Sequence, residues 1–443
     1  MRKISVLFLV MVFAFAAFAQ TRIVPLNIKE RTLANGLKVV SVRDNSSPSI
    51  AVHVWYNVGS KNDPEERNGF AHLFEHLMFK STKNMKSEML DRLTEDVGGN
   101  NNAFTSDDVT AYHEQIPSNY LETLLWAEAD RMVNLSVDEA NFKSERAVVI
   151  EEFNQSVLAQ PYGRFYEAIQ KLSFNVHPYK RTTIGTVENL EAASLDDVKK
   201  FYKDFYRPDD AILIVVGDFE DNQLNGWIDR YFGRIAKPSG MIPRVTEVEP
   251  ERTTERREVV KAPNVPLPAV AITYLAPPAK SKDTAALTVA QAILSGGESS
   301  RLYQQLVYRQ QIAQEAGFSV DNHVDKGIMY FTAILASGKM PAAAETSLLA
   351  ELKKIQVAPL TAKELLKAKN SLVANAIRQI ETNQGKALAI GQSVTLKGSA
   401  QAVNSEVKEL QAVTAADVQR VMKQYFNDKN RVVIYYENEG EAK

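Results

Sequence analysis

Val198-Lys199-Lys200-Phe201-Tyr202-Lys203-Asp204-Phe205-Tyr206 lines up without a gap on Val418-Gln419-Arg420-Val421-Met422-Lys423-Gln424-Tyr425-Phe426 in the second half of the chain. Ser194-Leu195-Asp196-Asp197 opens the first copy as a helix, and the strand expected at 211–216 falls on 431–436 at the same offset. Working outward, Ala51-Val52-His53-Val54 falls on Ala271-Ile272-Thr273-Tyr274, again at that offset. Ser136-Val137-Asp138-Glu139 has the form of a capping box, and Thr361-Ala362-Lys363-Glu364 repeats it slightly further along. Self-similarity at a fixed period marks a duplication. The expected fold is therefore α+β, with two copies of a unit of about 220 residues related by a pseudo-two-fold.

Within the first copy the spacing predicts a strand over 49–58 and helices over 87–97 and 120–134. Segments 102–105 and 109–116 read as a hairpin turning at Ser106-Asp107-Asp108, and the box at Ser136 opens a helix running past Phe153. Pro238, Gly240, Pro243, Pro250, Pro263, Pro266 and Pro268 surround a charged run, the composition of an extended linker. The expected layout is a signal peptide at 1–19, a first domain at 20–240, a linker at 241–268 and a second domain at 269–443.

The chemistry lies in Gly69-Phe70-Ala71-His72-Leu73-Phe74-Glu75-His76-Leu77-Met78-Phe79, a helix after a cap at Asn68. His72 and His76 are four apart and share one helix face, with Glu75 close enough to reach beside whatever they hold. Two imidazoles so placed hold Zn²⁺ at about 2.0–2.1 Å each, and the carboxylate serves as base toward water there. This is His-x-x-Glu-His, the reversed zinc-peptidase order, in a chain with only six histidines. At the strict offset the second copy has Ala292, Ser295 and Gly296, none able to bind zinc through its side chain. One half carries the metal, and the other serves a different purpose, such as enclosing the substrate.

Zinc needs a third protein ligand, and the helix after Ser136 offers Glu145-Arg146-Ala147-Val148-Val149-Ile150-Glu151-Glu152. Glu145 and Glu152 lie two turns apart on one face, and Glu151 is rotated from Glu152 by about 100°. Periodicity alone leaves that pair as either site residues or a solvated stripe.

Composition sets the address. The chain has 443 residues, 45% apolar and 24% charged, as in an ordinary globular protein. A formal charge of −2 gives no reason to expect nucleic acid or an anionic membrane as partner. No cysteine is present, which excludes disulfides and zinc ribbons. Arg2 and Lys3, the apolar run 4–15 and Ala17-Phe18-Ala19 form a signal-peptide pattern, its apolar run too short to span a bilayer. The expected address is exported, most simply periplasmic.

His-x-x-Glu-His, followed at a distance by Glu-Arg-x-Val-Val-x-x-Glu, resembles the pitrilysin (M16) zinc metallopeptidases, which include the mitochondrial processing peptidases. Gly98-Gly99-Asn100-Asn101-Asn102-Ala103-Phe104-Thr105-Ser106, His177-Pro178-Tyr179, Phe205-Tyr206-Arg207-Pro208 and Val216-Gly217-Asp218 also fit the family. The resemblance implies Glu152 as third zinc ligand, Glu145 as a catalytic support near the metal, and one zinc per chain. It implies a peptide substrate paired to the edge strand at Asn102, Ala103 and Phe104. Family members supply oxyanion donors as an arginine and a tyrosine seven apart. The matching register here places Val307 and Gln314 there, and Arg301 and Tyr308, correctly spaced but out of register, read as packing residues. That departure implies a hetero-oligomer with a sister subunit carrying the pair, or failing that a homodimer. The alternative is a non-catalytic structural subunit, against which stand His72, Glu75, His76 and Glu152.

Overall fold

The computed structural model describes residues 24–440. The signal segment expected at 1–19 lies outside them. Among the described residues no helix is long and apolar enough to cross a membrane.

Two sheets organise the chain. The first contains β1 (Lys29–Thr32), β2 (Lys38–Arg43), β3 (Ser49–Tyr56), β4 (Asn100–Thr105), β5 (Thr110–Pro117) and β6 (Ala211–Gly217) in the order β1-β2-β6-β3-β5-β4. The second contains β7 (Arg256–Ala262), β8 (Ala269–Leu275), β9 (Ala313–Asp321), β10 (Ile328–Leu335) and β11 (Arg431–Asn438) in the order β7-β11-β8-β10-β9. From β2 and β7 onward the two orders correspond strand for strand, each with one parallel pair, β2 with β6 and β7 with β11. The duplication read from the sequence is a duplication of sheets.

The register of the repeat needs correction at one point. Ala51 pairs with Val216 in the first sheet, and Tyr436, the counterpart of Val216, pairs with Ala269 in the second. Ala51 therefore corresponds to Ala269, and not to Ala271 as the strict offset has it. A slip of two keeps every side chain on its own face, so the alternating pattern cannot reveal it. The conclusion about the second copy survives the slip. Its helix Thr284–Ser295 holds no histidine or acidic residue in any register.

The stretch expected as an extended linker is largely fixed structure. Residues 256–262 are β7, paired along their length with β11. Upstream, Glu249 is 1% exposed and its carboxylate accepts from the backbone of Asn175, Val176 and His177 at 2.8, 3.0 and 2.9 Å. Arg252 donates to the carbonyls of Thr273 at 2.9 Å and Asn430 at 3.3 Å. Prolines signal the absence of helix, and here they stand beside an edge strand that they do not interrupt.

One face of each sheet is covered by its own helices, such as Phe70–Leu77 and Leu121–Asn134 on the first and Pro341–Val357 on the second. The other face is covered by a helix from the opposite half. Helix Gly163–Ser173 places Phe165 and Ile169 against Ala269, Ala271, Ile434 and Tyr436 of the second sheet. Helix Asn383–Lys397, its counterpart at the repeat offset, places Ala387 and Ile390 against Trp55, Ile212 and Ile214 of the first. Gly391 permits the approach, because a Cβ there would stand 2.3 Å from the Trp55 ring. The second half is thus needed to bury the first sheet, a reason the sequence reading did not reach.

Candidate metal centre

Helix Phe70–Leu77 buries Phe70, Ala71, Leu73, Phe74 and Leu77 in the core and leaves His72, Glu75 and His76 on the opposite face. Its start is built from a distance. Gly69 is left-handed at φ 99°, and a Cβ there would meet the Ile184 carbonyl at 2.7 Å. The expected cap, Asn68, does not cap. Its backbone donates to Asn189, and Asp63 takes the cap's place, accepting from the Gly69 and Ala71 amides at 2.7 and 2.9 Å. Burial pushes the Asp63 carboxyl up to about 7 against those two bonds.

The second helix is Glu139–Phe153, and Asp138, not Ser136, caps it by accepting from the Asn141 amide at 2.9 Å. It passes directly into a π-turn, Asn154–Leu158, a distortion that recurs beside functional sites. Glu152 faces the histidines, whereas Glu151 points out and accepts from Gln155 at 2.8 Å.

One Glu152 oxygen stands 3.6 Å from His72 Nε2 and 3.5 Å from His76 Nε2. Ligands at about 2.0–2.1 Å around a tetrahedral ion are about 3.3–3.4 Å apart, so this triangle fits zinc. Among the described residues this is the one group of three such donors with all ligand atoms within 4.8 Å of one another. Burial and the neighbouring His76 hold His72 down at about 4, neutral and free to donate a lone pair. Burial also lowers His76, but Glu145, Glu75 and Glu152 outweigh it and raise the imidazole overall.

Glu145 stands behind His76, its Oε2 3.7 Å from Nδ1 and its Oε1 2.8 Å from Lys80 Nζ. Burial favours the protonated form, yet His76, Lys80 and Ser144 hold the carboxyl down at about 2. A carboxylate behind a ligating imidazole fixes its tautomer and turns Nε2 toward the ion. Burial raises Glu75, while a 2.5 Å hydrogen bond from the Thr105 hydroxyl to Oε2 pulls the other way and fixes its orientation.

A cleft opens above these groups, walled by Ala103, Phe104, Thr105, Ser156, Thr182, Thr183 and Ile184. β4 is the edge strand of its sheet, so its outer side is free to pair. Ala103 and Phe104 line the cleft. Asn102 does not, its side chain turning back to accept from the Ala103 amide at 2.8 Å. No arginine or tyrosine is among the described residues lining the cleft. Arg301 is tied to Glu364 at 2.9 Å, a structural role, while Tyr308 is 69% exposed and packs against little.

Sequence reasoning missed Lys80, Thr105 and Asp63. Lys80 lies one turn beyond His76, and its proximity was recoverable from periodicity. Thr105 shares a strand face with Ala103, but its bond to Glu75 is tertiary.

Residues 38–187 match the sequence pattern described as Insulinase (Peptidase family M16), and 192–372 that of the Peptidase M16 inactive domain. The chain is 32% identical to the zinc protease PqqE of Helicobacter pylori over 407 residues, 91% of each protein. It is 24% identical to a probable mitochondrial-processing peptidase subunit beta of Arabidopsis thaliana, over 90% of this chain and 76% of that one. A solved protease from Helicobacter pylori superposes with a TM-score of 0.90 at 30% identity, covering 94% of this chain and all of its own. With that kinship joined to the duplicated sheets, the chain belongs to the M16 family of peptidases.

Proposed function

We propose that this chain is the metal-bearing subunit of an exported zinc endopeptidase that cuts peptides or small unfolded proteins. The observation that carries the reading is the His72, His76 and Glu152 triangle with Glu75 held beside it by Thr105. His72, His76 and Glu152 would hold zinc, with Glu145 behind His76 as its orienting carboxylate. Zinc, when bound, supplies Lewis-acid polarisation of the scissile carbonyl and acidifies water. Glu75 accepts the proton of the attacking water and returns it to the leaving amine. The outer edge of β4 takes the substrate as an added strand, which sets the scissile bond over the cleft.

Among the described residues no lysine, arginine or tyrosine lines the cleft, and that supports a sister subunit as the source of oxyanion stabilisation. Loss of one such donor typically costs about 10²–10³ in turnover. Export rests on the pattern at residues 1–19.

The test is zinc content and hydrolysis of quenched peptides by the wild type and Glu75→Gln, each alone and mixed with candidate sister chains. The wild type should hold zinc and cut slowly alone. Glu75→Gln should keep the metal and lose about 10²–10⁴ of the rate. Metal loss in that variant would remove Glu75 as base. Full activity of the chain alone would remove the partner.

A further inference from the structure

The turn that joins β4 to β5 is held from the half that has no metal residues. Asp107 and Asp108 in that turn are 8% and 6% exposed. Their own half answers them with Ser60 and Gln170 on Asp107, and with Lys61 at 2.6 Å and the Tyr179 hydroxyl at 2.5 Å on Asp108. The loop 322–327 of the second half, between β9 and β10, brings the rest. The Val324 amide donates to Asp108 Oδ2 at 2.9 Å. His323 Nδ1 stands 3.7 Å from Asp107 Oδ2 and 3.6 Å from Asp108 Oδ2, with its other nitrogen 3.2 Å from Asp321. The ring also stacks on Tyr179 at 4.3 Å.

The donors on Asp107 from its own half are neutral, and among the described residues His323 is the cation facing it. Burial alone lowers the pKa of that imidazole, but Asp108, Asp321 and Asp107 carry it up to about 10, so it is charged. A buried carboxylate left without its cation costs far more than a surface pair is worth. One residue before the turn, Thr105 holds Glu75.

A second tie from the same half reaches the back of the strand. Gln384 bridges His53 Nε2 at 3.0 Å and His113 Nδ1 at 2.7 Å, and His113 lies opposite Asn102 in the β4–β5 register.

We propose that His323 is a positioning residue for the metal centre: from the second half it fixes the 106–109 turn, and through Thr105 it sets the substrate-pairing strand and the carboxylate of Glu75. This rests on the zinc-peptidase reading for its consequence in catalysis, but not for its consequence in the strand. The fold has thus given the half without metal residues a specific task at the site, beyond covering a sheet.

The test uses the full chain, mixed with its sister subunit wherever hydrolysis is read. His323→Gln should raise amide hydrogen exchange across 100–109 by at least about tenfold while β3 and the second sheet stay protected. Zinc content should not change. Turnover should fall by up to about 10²-fold, as expected for a small misplacement at a reacting centre. Adding Asp107→Asn, which removes the unpaired charge and keeps one side-chain oxygen to accept from Ser60 and Gln170, should restore both protection and turnover. In a double-mutant cycle with Thr105→Val, the two losses should fail to multiply, because both act through one contact. Losses that multiply, or exchange that rises evenly through both sheets, would reduce His323 to a structural contact. Should His323→Gln not fold, Gln384→Ala reads the second tie by the same exchange, and unaltered protection of 100–105 there would count against the proposal. If the peptidase reading fails, no variant hydrolyses peptide, yet the exchange arm still reports on His323.

Discussion

Helix Phe70–Leu77 and helix Thr284–Ser295 occupy matching places on matching sheets, yet one presents two imidazoles and a carboxylate while the other is apolar or small nearly throughout. The ties of the two helices show the contrast at atomic scale. Glu75 accepts from the Thr105 hydroxyl on β4, and Ser295, the last residue of the second helix, accepts from the Phe318 amide on β9. Both contacts tie a helix to the edge strand of its sheet, so the tie survives where the chemistry is gone. The half with His72 and His76 bears the cost of desolvating its ionisable groups there, seen in a lowered His72 and raised Glu75 and Asp63. The matching helix of its twin has no ionisable residue, and that half gives rigidity instead, through the exchanged helix and the loop at His323.

The largest expected break in the comparison is at the ligands. Glu152→Gln should weaken zinc binding beyond the roughly 10–100-fold that loss of an outer partner typically causes, while Glu151→Gln leaves it unchanged. Competition with a chelator measures both. A reversed result would move the third ligand onto the outward face. Glu145→Gln should fall in between, at about 10–100-fold, because it removes the orienting carboxylate and not a ligand.

A smaller break separates the two exchanged helices. Gly391→Ala gains about 1 kcal/mol of helix propensity but drives a methyl into Trp55, and such overpacking costs about 1–3 kcal/mol. We expect a net loss in urea unfolding. Lys171→Ala, at the matching place in the first copy's exchanged helix, is on an exposed face and should stay within about 0.5 kcal/mol. Equal effects would mean that the close approach at Trp55 does not limit stability.

Much of this architecture was legible because the duplication preserved local signals. The capping box at Thr361 forms as written, and the helix read as opening at Ser194 starts on a reciprocal pair of the same kind, which Thr414 repeats at the matching place in the second copy. His72, His76 and Glu152 meet because helical periodicity fixes which side chains share a face. What stayed hidden depends on partners distant in sequence or on backbone detail. The Asp63 cap reaches across a loop, and Asp138 competes with Ser136 two residues away under the same composition rule. β7 lies in a proline-flanked charged run because it is a sheet edge, where one side of the strand faces solvent. The helix exchange leaves no local trace at all. An amphipathic helix shows that it has a buried face, not which sheet that face covers.

The subtlest prediction is that the two contacts between halves fail at opposite ends of the pH scale. On one side, burial chiefly, with His113 adding to it, holds His53 down at about 3 despite its bond to Gln384. The unfolded chain then binds a proton that the folded chain refuses, so stability falls as pH drops below about 6.5. At pH 6 this amounts to less than about 1 kcal/mol, and it grows toward pH 4. On the other side, His323 is raised to about 10 among Asp107, Asp108 and Asp321, with Lys61 and Tyr179 also packed against the cluster. Its contribution is complete below about 6.5 and disappears as pH rises through the folded value. Thermal midpoints from pH 4 to 10 should therefore decline at both ends. His53→Gln should lessen the decline of the acid limb alone, leaving the part that buried His72 contributes, and His323→Gln should lessen that of the alkaline limb alone. If either substitution flattened both limbs, the two contacts would form a single cooperative seam, and the site would sense the second half through the whole interface instead of through one loop.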